Sequence, residues 1–167
     1  PSVWLQEQMP ALPDTAGEML TKIISTPGGY FVIALLAPVV EEVVFRGAIL
    51  RALLSSMQSK WGAICISAAL FALIHFNPAQ TPHAFLMGLL MGWLYMRTGS
   101  IVPGVVFHWA NNTVAYLIAV AYPGDETKLV DIFGGNETAV IMSVVFSLCI
   151  FIPALFQLNI WTKKRGR

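Results

Sequence analysis

Charge is what this chain has least of. Only 11% of its 167 residues are Asp, Glu, Lys or Arg, where a soluble globular domain carries roughly 25%. Hydrophobic residues make up 56% of the sequence, and the mean hydropathy is +0.69. Too little polar surface remains to cover a water-facing exterior, so the solvent of this protein is mostly lipid. Cysteine is also scarce. Cys65 and Cys149 lie far apart in apolar runs, with no metal or redox spacing, and read as small packing residues. No stretch alternates with a strand period, which disfavours a β-barrel. There is no internal repeat, no low-complexity segment and no signal-peptide pattern. The opening at Pro1 reads as the start of a processed or truncated piece. The length suits one domain, and the formal charge of +1 says little about partners.

Long apolar runs are what the chain does have. Residues 1–28 are mixed, with Pro10, Pro13, Pro27, Glu7, Asp14 and Glu18, and read as an extracytoplasmic surface segment. Five runs follow: Gly29 to about Leu54, Gly62 to Phe76, Ala84 to Tyr95, Ile101 to Tyr122, and Ala139 to Trp161. The expected fold is all-α, a polytopic membrane bundle of about five transmembrane helices. Residues 29–122 form its four-helix core, 123–138 an extracytoplasmic loop, and 139–167 the last span with a basic tail.

Charge placement orients the bundle. Arg51, Lys60, Arg97, Lys163, Lys164, Arg165 and Arg167 fall on one side if every run crosses. The other side holds Lys22 and Lys128 with Asp125, Glu126, Asp131 and Glu137. The basic side is expected to be cytoplasmic, and with it the C-terminus. Trp61, Trp93, Tyr95 and Trp161 read as interface anchors. Gly88 and Gly92, a small-xxx-small pair, read as a site of close helix packing.

Ionisable residues inside spans need a reason, because each costs about 2.5–3.5 kcal/mol on the insertion scale. Here they are Glu41, Glu42, Arg46, His75 and His108. Counted from the cytoplasmic ends at about 1.5 Å per residue, Glu41 and Asn112 lie roughly 16 Å deep, His75 roughly 21 Å and His108 roughly 10 Å. Three helices thus place Glu, His, His and Asn in the middle of a core about 30 Å thick. Glu42 and Arg46 are four apart and can pair on one face. Glu41 is turned about 100° from Glu42 and is left to face elsewhere. His108 shares a face with Asn112, and Phe71 with His75. His83, between Pro82 and Ala84, reads as a solvated loop residue. Trp109 either lines a cavity or packs. Asn136-Glu137-Thr138 matches a glycosylation sequon, which matters only in a eukaryotic secretory setting.

These residues carry a family resemblance. Glu41-Glu42-Val43-Val44-Phe45-Arg46 resembles the EExxxR motif of the CPBP family, the CAAX proteases and bacteriocin-processing enzymes also called the Abi family. Phe71-Ala72-Leu73-Ile74-His75 resembles its FxxxH motif, and His108-Trp109-Ala110-Asn111-Asn112 its HxxxN motif. The three stand in the family's order, within residues 30–122. The resemblance implies an intramembrane endopeptidase. By carry-over, Glu41 and His75 activate the hydrolytic water, and His108 and Asn112 complete the site, with Asn112 as oxyanion stabiliser. Glu42, Arg46 and Phe71 are structural or orienting. Many members have further spans upstream, so the resemblance also implies a shortened chain.

The chemistry agrees. Amide hydrolysis needs a base for water, a donor for the oxyanion and an acid for the leaving amine. Histidine exchanges a proton near neutral pH. The spans hold no Ser–His–Asp arrangement, and neither cysteine lies near a His motif, so water is the expected nucleophile. A divalent metal such as zinc is an open alternative, with Glu41, His75 and His108 as ligands; the missing HExxH signature favours metal-free catalysis. Competing functions are a non-catalytic scaffold or immunity protein of the same fold and a proton-coupled transporter. Against transport stand the absence of inverted repeats and the small number of spans. Expected partners are membrane lipid and a hydrophobic or lipidated peptide or protein, not nucleic acid. The expected location is a bacterial plasma membrane.

Overall fold

Each apolar run is helical, and the polar and proline-containing residues between them supply the ends. The computed structural model describes residues 13–122 and 128–164 together with Trp4 and Glu7, and of Lys163 and Lys164 only the backbone. Pro10, the acidic Asp125 and Glu126, and the basic Arg165 and Arg167 lie outside the described residues. Among the described residues there are seven helices and no strand, so the fold is all-α.

Helix α1 spans Gly17–Ile24. Asp14 starts it, its Oδ1 accepting the backbone N–H groups of Ala16 at 3.0 Å and Gly17 at 2.8 Å, which satisfies donors that a helix start leaves free. Helix α2 covers residues 31–56 and changes register three times. It is a π-helix over Phe31–Leu36, an α-helix over Ala37–Glu42, a π-helix over Val43–Leu50 and an α-helix over Arg51–Ser56. In the first wide stretch the Ala37 N–H reaches Val32 O, five residues back. The same register would pair residue 38 with Ile33, but Pro38 has no N–H to give. The Ile33 carbonyl is therefore released to a side chain. Glu41 and Glu42 sit in the regular turns between two π stretches, a distortion common at functional sites.

Helix α3 spans Lys60–Leu73, capped by Ser59, whose Oγ accepts from Gly62 N at 3.0 Å. Helix α4 spans Thr81–Thr98 and starts earlier than its apolar run, because Pro82 falls in the first helical turn, where no N–H is missed. His83 is thus a helical residue, half-buried, and not the solvated loop residue that its prolines suggest. Helix α5 spans Val102–Ala121, α6 is the single turn Leu129–Ile132, and α7 spans Glu137–Lys164. Asn136 of the sequon caps α7, its Oδ1 accepting from Ala139 N at 3.0 Å.

The chain forms two compact units, Leu12–Pro123 and, separately, Pro1–Ala11 with Gly124–Arg167. In the larger unit α3 packs along α4, and α2 packs on α3 and α5. A Cβ on Gly88 would stand 2.9 Å from both Ala68 Cα and Ala68 Cβ, so only glycine lets α3 and α4 approach this closely. Lipid tails are as apolar as the helices, so small residues that allow close dispersion contact do the work that burial does in water. The core joins Phe45, Phe71, Ala72, Ala84, Met87 and Met91. A second cluster holds Leu50, Ala63 and Ile64.

Outside this core the apolar side chains face outward. Helix α5 exposes Val102, Val106, Val114 and Leu117; α7 exposes Phe146, Ile152, Phe156 and Trp161. These two helices are long and apolar enough to cross a membrane. Cys65 and Cys149 are free and exposed. They belong to this outer surface rather than to the packed interior expected of them.

Candidate active site

Helices α2, α3 and α5 bring the motif residues together around the ring of Phe71. That ring meets His75 edge-on at 5.0 Å between centroids and His108 at 5.7 Å. Phe45 lies 5.3 Å away, and the Arg46 guanidinium carbon sits 4.6 Å from the ring centre, within cation–π range. Phe71 is 2% exposed and acts as the spacer that sets the two imidazoles and the guanidinium apart.

The acidic pair divides. Glu42 is fully buried, and Arg46 Nη1 donates to its Oε1 at 2.7 Å. Arg46 Nη2 donates to Gly88 O on α4 at 3.1 Å. The pair therefore ties α2 to the tight α3–α4 seam. A Cβ on Gly104 of α5 would lie 2.5 Å from Glu42 Oε2, so α5 can lie against this carboxylate only because residue 104 is glycine. Glu41 is turned away from the pair and remains a quarter exposed.

His108 stands between the two carboxylates. Its Nε2 is 3.7 Å from Glu41 Oε2, and its Nδ1 is 3.5 Å from Glu42 Oε1. The first gap is too long for a direct hydrogen bond and short enough for one water to bridge. Glu41 Oε2, Glu42 Oε2, Arg46 Nε and His108 Nδ1 are buried with no hydrogen-bond partner among the described residues. Four such atoms at one point are costly for structure alone and mark a place that receives polar atoms from elsewhere.

His75 ends α3. Its Nδ1 donates to Phe71 O at 2.8 Å, which leaves Nε2 as the basic nitrogen of a neutral ring. It lies within electrostatic reach of Glu41, though no direct ion pair joins them. The turn after it is strained: Phe76 has φ 47°, a conformation that bulky residues rarely adopt. The N-terminal segment clamps this turn. Thr15 Oγ1 donates to Phe76 O at 2.7 Å, and Asn77 Nδ2 donates to Asp14 Oδ1 at 2.8 Å.

Asn112 lies one turn beyond His108 on α5 and is not hydrogen-bonded to Glu41, His75 or His108. Its Nδ2 donates at 3.0 Å to Ile33 O, the carbonyl that Pro38 released. Its Oδ1 accepts from Asn111 Nδ2 at 3.2 Å. His83, in the first turn of α4, is within electrostatic reach of both His75 and His108. Sequence reasoning did not place His83 near the two site histidines. The available signal was Pro82, which fits a first helical turn as well as a loop. Trp109 is exposed and tethered at its ring nitrogen: Nε1 donates to Tyr30 OH at 3.3 Å, and that hydroxyl also meets Thr113 Oγ1 at 3.2 Å.

Among the described residues no three His, Cys, Asp or Glu side chains are arranged to hold a metal ion. Glu41, His75 and His108 do not converge as a zinc ligand set. The set can polarise a water and stabilise negative charge beside it. No curated protein and no solved structure is similar enough to the chain to match it. A family model described as type II CAAX prenyl endopeptidase Rce1-like matches residues 24–114, a stretch holding all three motifs and every residue of the site except those of the N-terminal clamp. With more than half of its length matched, the chain belongs to the Rce1-like family of CAAX proteases, which are integral to the membrane.

Proposed function

We propose that this protein is an intramembrane endopeptidase that hydrolyses a peptide bond of a membrane-associated or lipidated peptide or protein with an activated water. The observation that carries the reading is the 3.7 Å gap between Glu41 Oε2 and His108 Nε2, set among buried polar atoms without partners. A water held there loses a proton to Glu41, with the basic nitrogen of His75 in support, and its oxygen attacks the scissile carbonyl carbon. The resulting oxyanion accepts hydrogen bonds from His108 and Asn112. Collapse of the intermediate breaks the C–N bond, and Glu41 returns the proton to the leaving amine. Glu42 and Arg46 hold the frame, and Phe71 spaces the rings. The partners in this reading are membrane lipid and the lipidated or hydrophobic substrate; nucleic acid is not one. The setting is a bacterial plasma membrane with the C-terminus in the cytoplasm.

The test is cleavage of a fluorogenic prenylated CAAX peptide, beside a panel of hydrophobic peptides, by protein in liposomes. Glu41→Gln is expected to lower kcat by a factor between about 10² and 10⁴ with the melting temperature unchanged. Full activity of Glu41→Gln sinks the assignment. Solute or proton flux in the same liposomes without cleavage favours a transporter. A chelator is expected to leave the rate unchanged.

A further inference from the structure

Helix α1 has no part in the core. None of its residues is buried. Ala16, Leu20, Ile23 and Ile24 are half-buried on one face, and Glu18, Met19, Thr21 and Lys22 are exposed on the other. Its two ends, by contrast, are tied to different helices. At the start, Thr15 Oγ1 donates to Phe76 O at 2.7 Å, Asn77 Nδ2 donates to Asp14 Oδ1 at 2.8 Å, and Thr15 N donates to Asn77 Oδ1 at 3.4 Å, all in the turn directly after His75. At the far end, Tyr116 OH of α5 donates to Ile24 O at 3.3 Å. Tyr116 lies one turn beyond Asn112. Helices α3 and α5 each pack on both α2 and α4, so they stand at opposite corners of a four-helix group. With neighbouring axes about 8–10 Å apart, such corners are about 11–17 Å from each other. The rise from Thr15 to Ile24 is about 13 Å. Helix α1 thus crosses the group from corner to corner, over the axis where Phe71 of α3 and His108 of α5 meet.

The two attachments differ in kind. The Ile24 end runs into a tight turn, where Thr26 N and Thr26 Oγ1 both donate to Ile23 O, at 3.0 and 2.7 Å. A Cβ on the buried Gly29 would overlap that same carbonyl, so this end is packed onto the start of α2. The Asp14 end holds by exposed side chains, and what it holds is strained. Phe76 has φ 47° and is 85% exposed, so no packing of its ring offsets the strain. Releasing Thr15 lets that turn relax, which offsets part of the cost of the broken bonds. A helix without a buried side chain, fastened this way, opens at lower cost than the group beneath it. We propose that α1 is a strap over the site, hinged at residues 27–29 and caught on the turn after His75. Released, it opens this end of the helix group to the substrate peptide; caught, it fixes His75 for the reaction. The substrate and the part played by His75 rest on the function proposed above; the strap itself rests on the hydrogen bonds at its ends.

Two measurements separate the strap from that function. The first needs no activity. In protein carrying Cys65→Ser and Cys149→Ser, the change Glu41→Cys puts the only thiol inside the site, and its reaction with N-ethylmaleimide in micelles is timed. Asp14→Ala with Thr15→Val, which removes the side-chain bonds of the catch, is expected to speed that reaction about tenfold. Ser67→Cys in the same background is the control, because Ser67 is buried where α3 meets Phe45 O of α2; its rate is expected to hold. An unmoved rate at Glu41→Cys, or an equal rise at Ser67→Cys, overturns the strap. The second measurement is association of a fluorescent prenylated CAAX peptide with Glu41→Gln protein in liposomes. Releasing the catch is expected to raise the association rate about threefold, while in protein that keeps Glu41 the same two changes lower kcat. A fall in kcat with the association rate unmoved makes the catch a structural tie only and overturns the gate. Faster thiol labelling in a protein that neither binds nor cleaves the peptide sustains the strap and sinks the peptidase reading.

Discussion

Between α3 and α4 the chain packs Gly88 onto Ala68 and Gly92 onto Ile64. Between α2 and α5 it packs Gly104 onto Glu42 and stands His108 between two carboxylates. Both seams use glycine for close approach, but to opposite ends. In the first the missing side chain lets backbone meet backbone, and the seam is apolar. In the second it lets backbone meet a buried charge, and polar atoms are left unpartnered. The two are joined at one residue. Gly88, whose bare Cα admits α3, also offers its carbonyl to Arg46 at 3.1 Å. The packed seam thus holds the acidic pair of the other at a fixed height, and stability on one side becomes geometry on the other.

Removing Arg46 should break the polar seam most. Arg46→Ala leaves Glu42 as a buried charge without a cation, since the two are 1% and 0% exposed. Breaking such a pair costs about 3–5 kcal/mol. Thermal unfolding in detergent is expected to show that loss, with activity falling alongside it. Arg46→Lys should not rescue it, because a single ammonium cannot reach Glu42 and Gly88 O as the guanidinium fork does. A stable, active Arg46→Ala protein would mean that Glu42 is not charged, and that the contrast between the seams has been drawn wrongly.

Gly88→Ala tests the other seam. The new Cβ would stand 2.9 Å from Ala68 Cα, a backbone atom that cannot swing aside. Overpacking of this kind costs about 1–3 kcal/mol. Because the Gly88 carbonyl also receives Arg46, kcat per folded molecule is expected to fall as well. The paired change Gly88→Ala with Ala68→Gly should recover only part of either loss, since it removes the Ala68 Cβ but leaves the Cα 2.9 Å from the new side chain. Restored stability with activity still low would separate the packing role of Gly88 from its carbonyl.

How much of this was legible in the sequence depended on whether a feature is local. Each of the five apolar runs is a helix, with ends displaced by a few residues. The four-residue spacing of Glu42 and Arg46 made their contact readable, and the three motifs pointed to the helices that supply the site. Depth was read less well. Counting from helix ends placed Glu41 and His108 roughly 6 Å apart in height, yet their side chains come within 3.7 Å. Such counting assumes straight helices of uniform rise, and α2 is not one. Its π stretches were not readable, because they depend on which carbonyls find partners elsewhere, as Ile33 O finds Asn112. His83 was misread because Pro82 serves a loop and a helix start equally well.

The smallest expected effect lies where the N-terminal segment holds the turn after His75. Asp14 Oδ1 accepts from Ala16 N, Gly17 N and Asn77 Nδ2 at 3.0, 2.8 and 2.8 Å. Asn77 is 1% exposed, and this bond ties it to the α1 start across more than sixty residues of chain, beside a longer one from Thr15 N at 3.4 Å. Asp14→Ala removes a cap and loosens the turn, leaving the Thr15 Oγ1 bond to Phe76 O, at about 1 kcal/mol. The strained Phe76 can then relax, and His75, the residue before it, loses its fixed ring. The expected readout is a small fall in melting temperature with a larger fall in kcat than in KM. Asp14→Asn keeps the acceptor oxygen and should behave nearly as wild type. If Asp14→Ala instead changes stability but not kcat, the clamp belongs with the α3–α4 seam, as packing, and the strain at Phe76 does not serve His75.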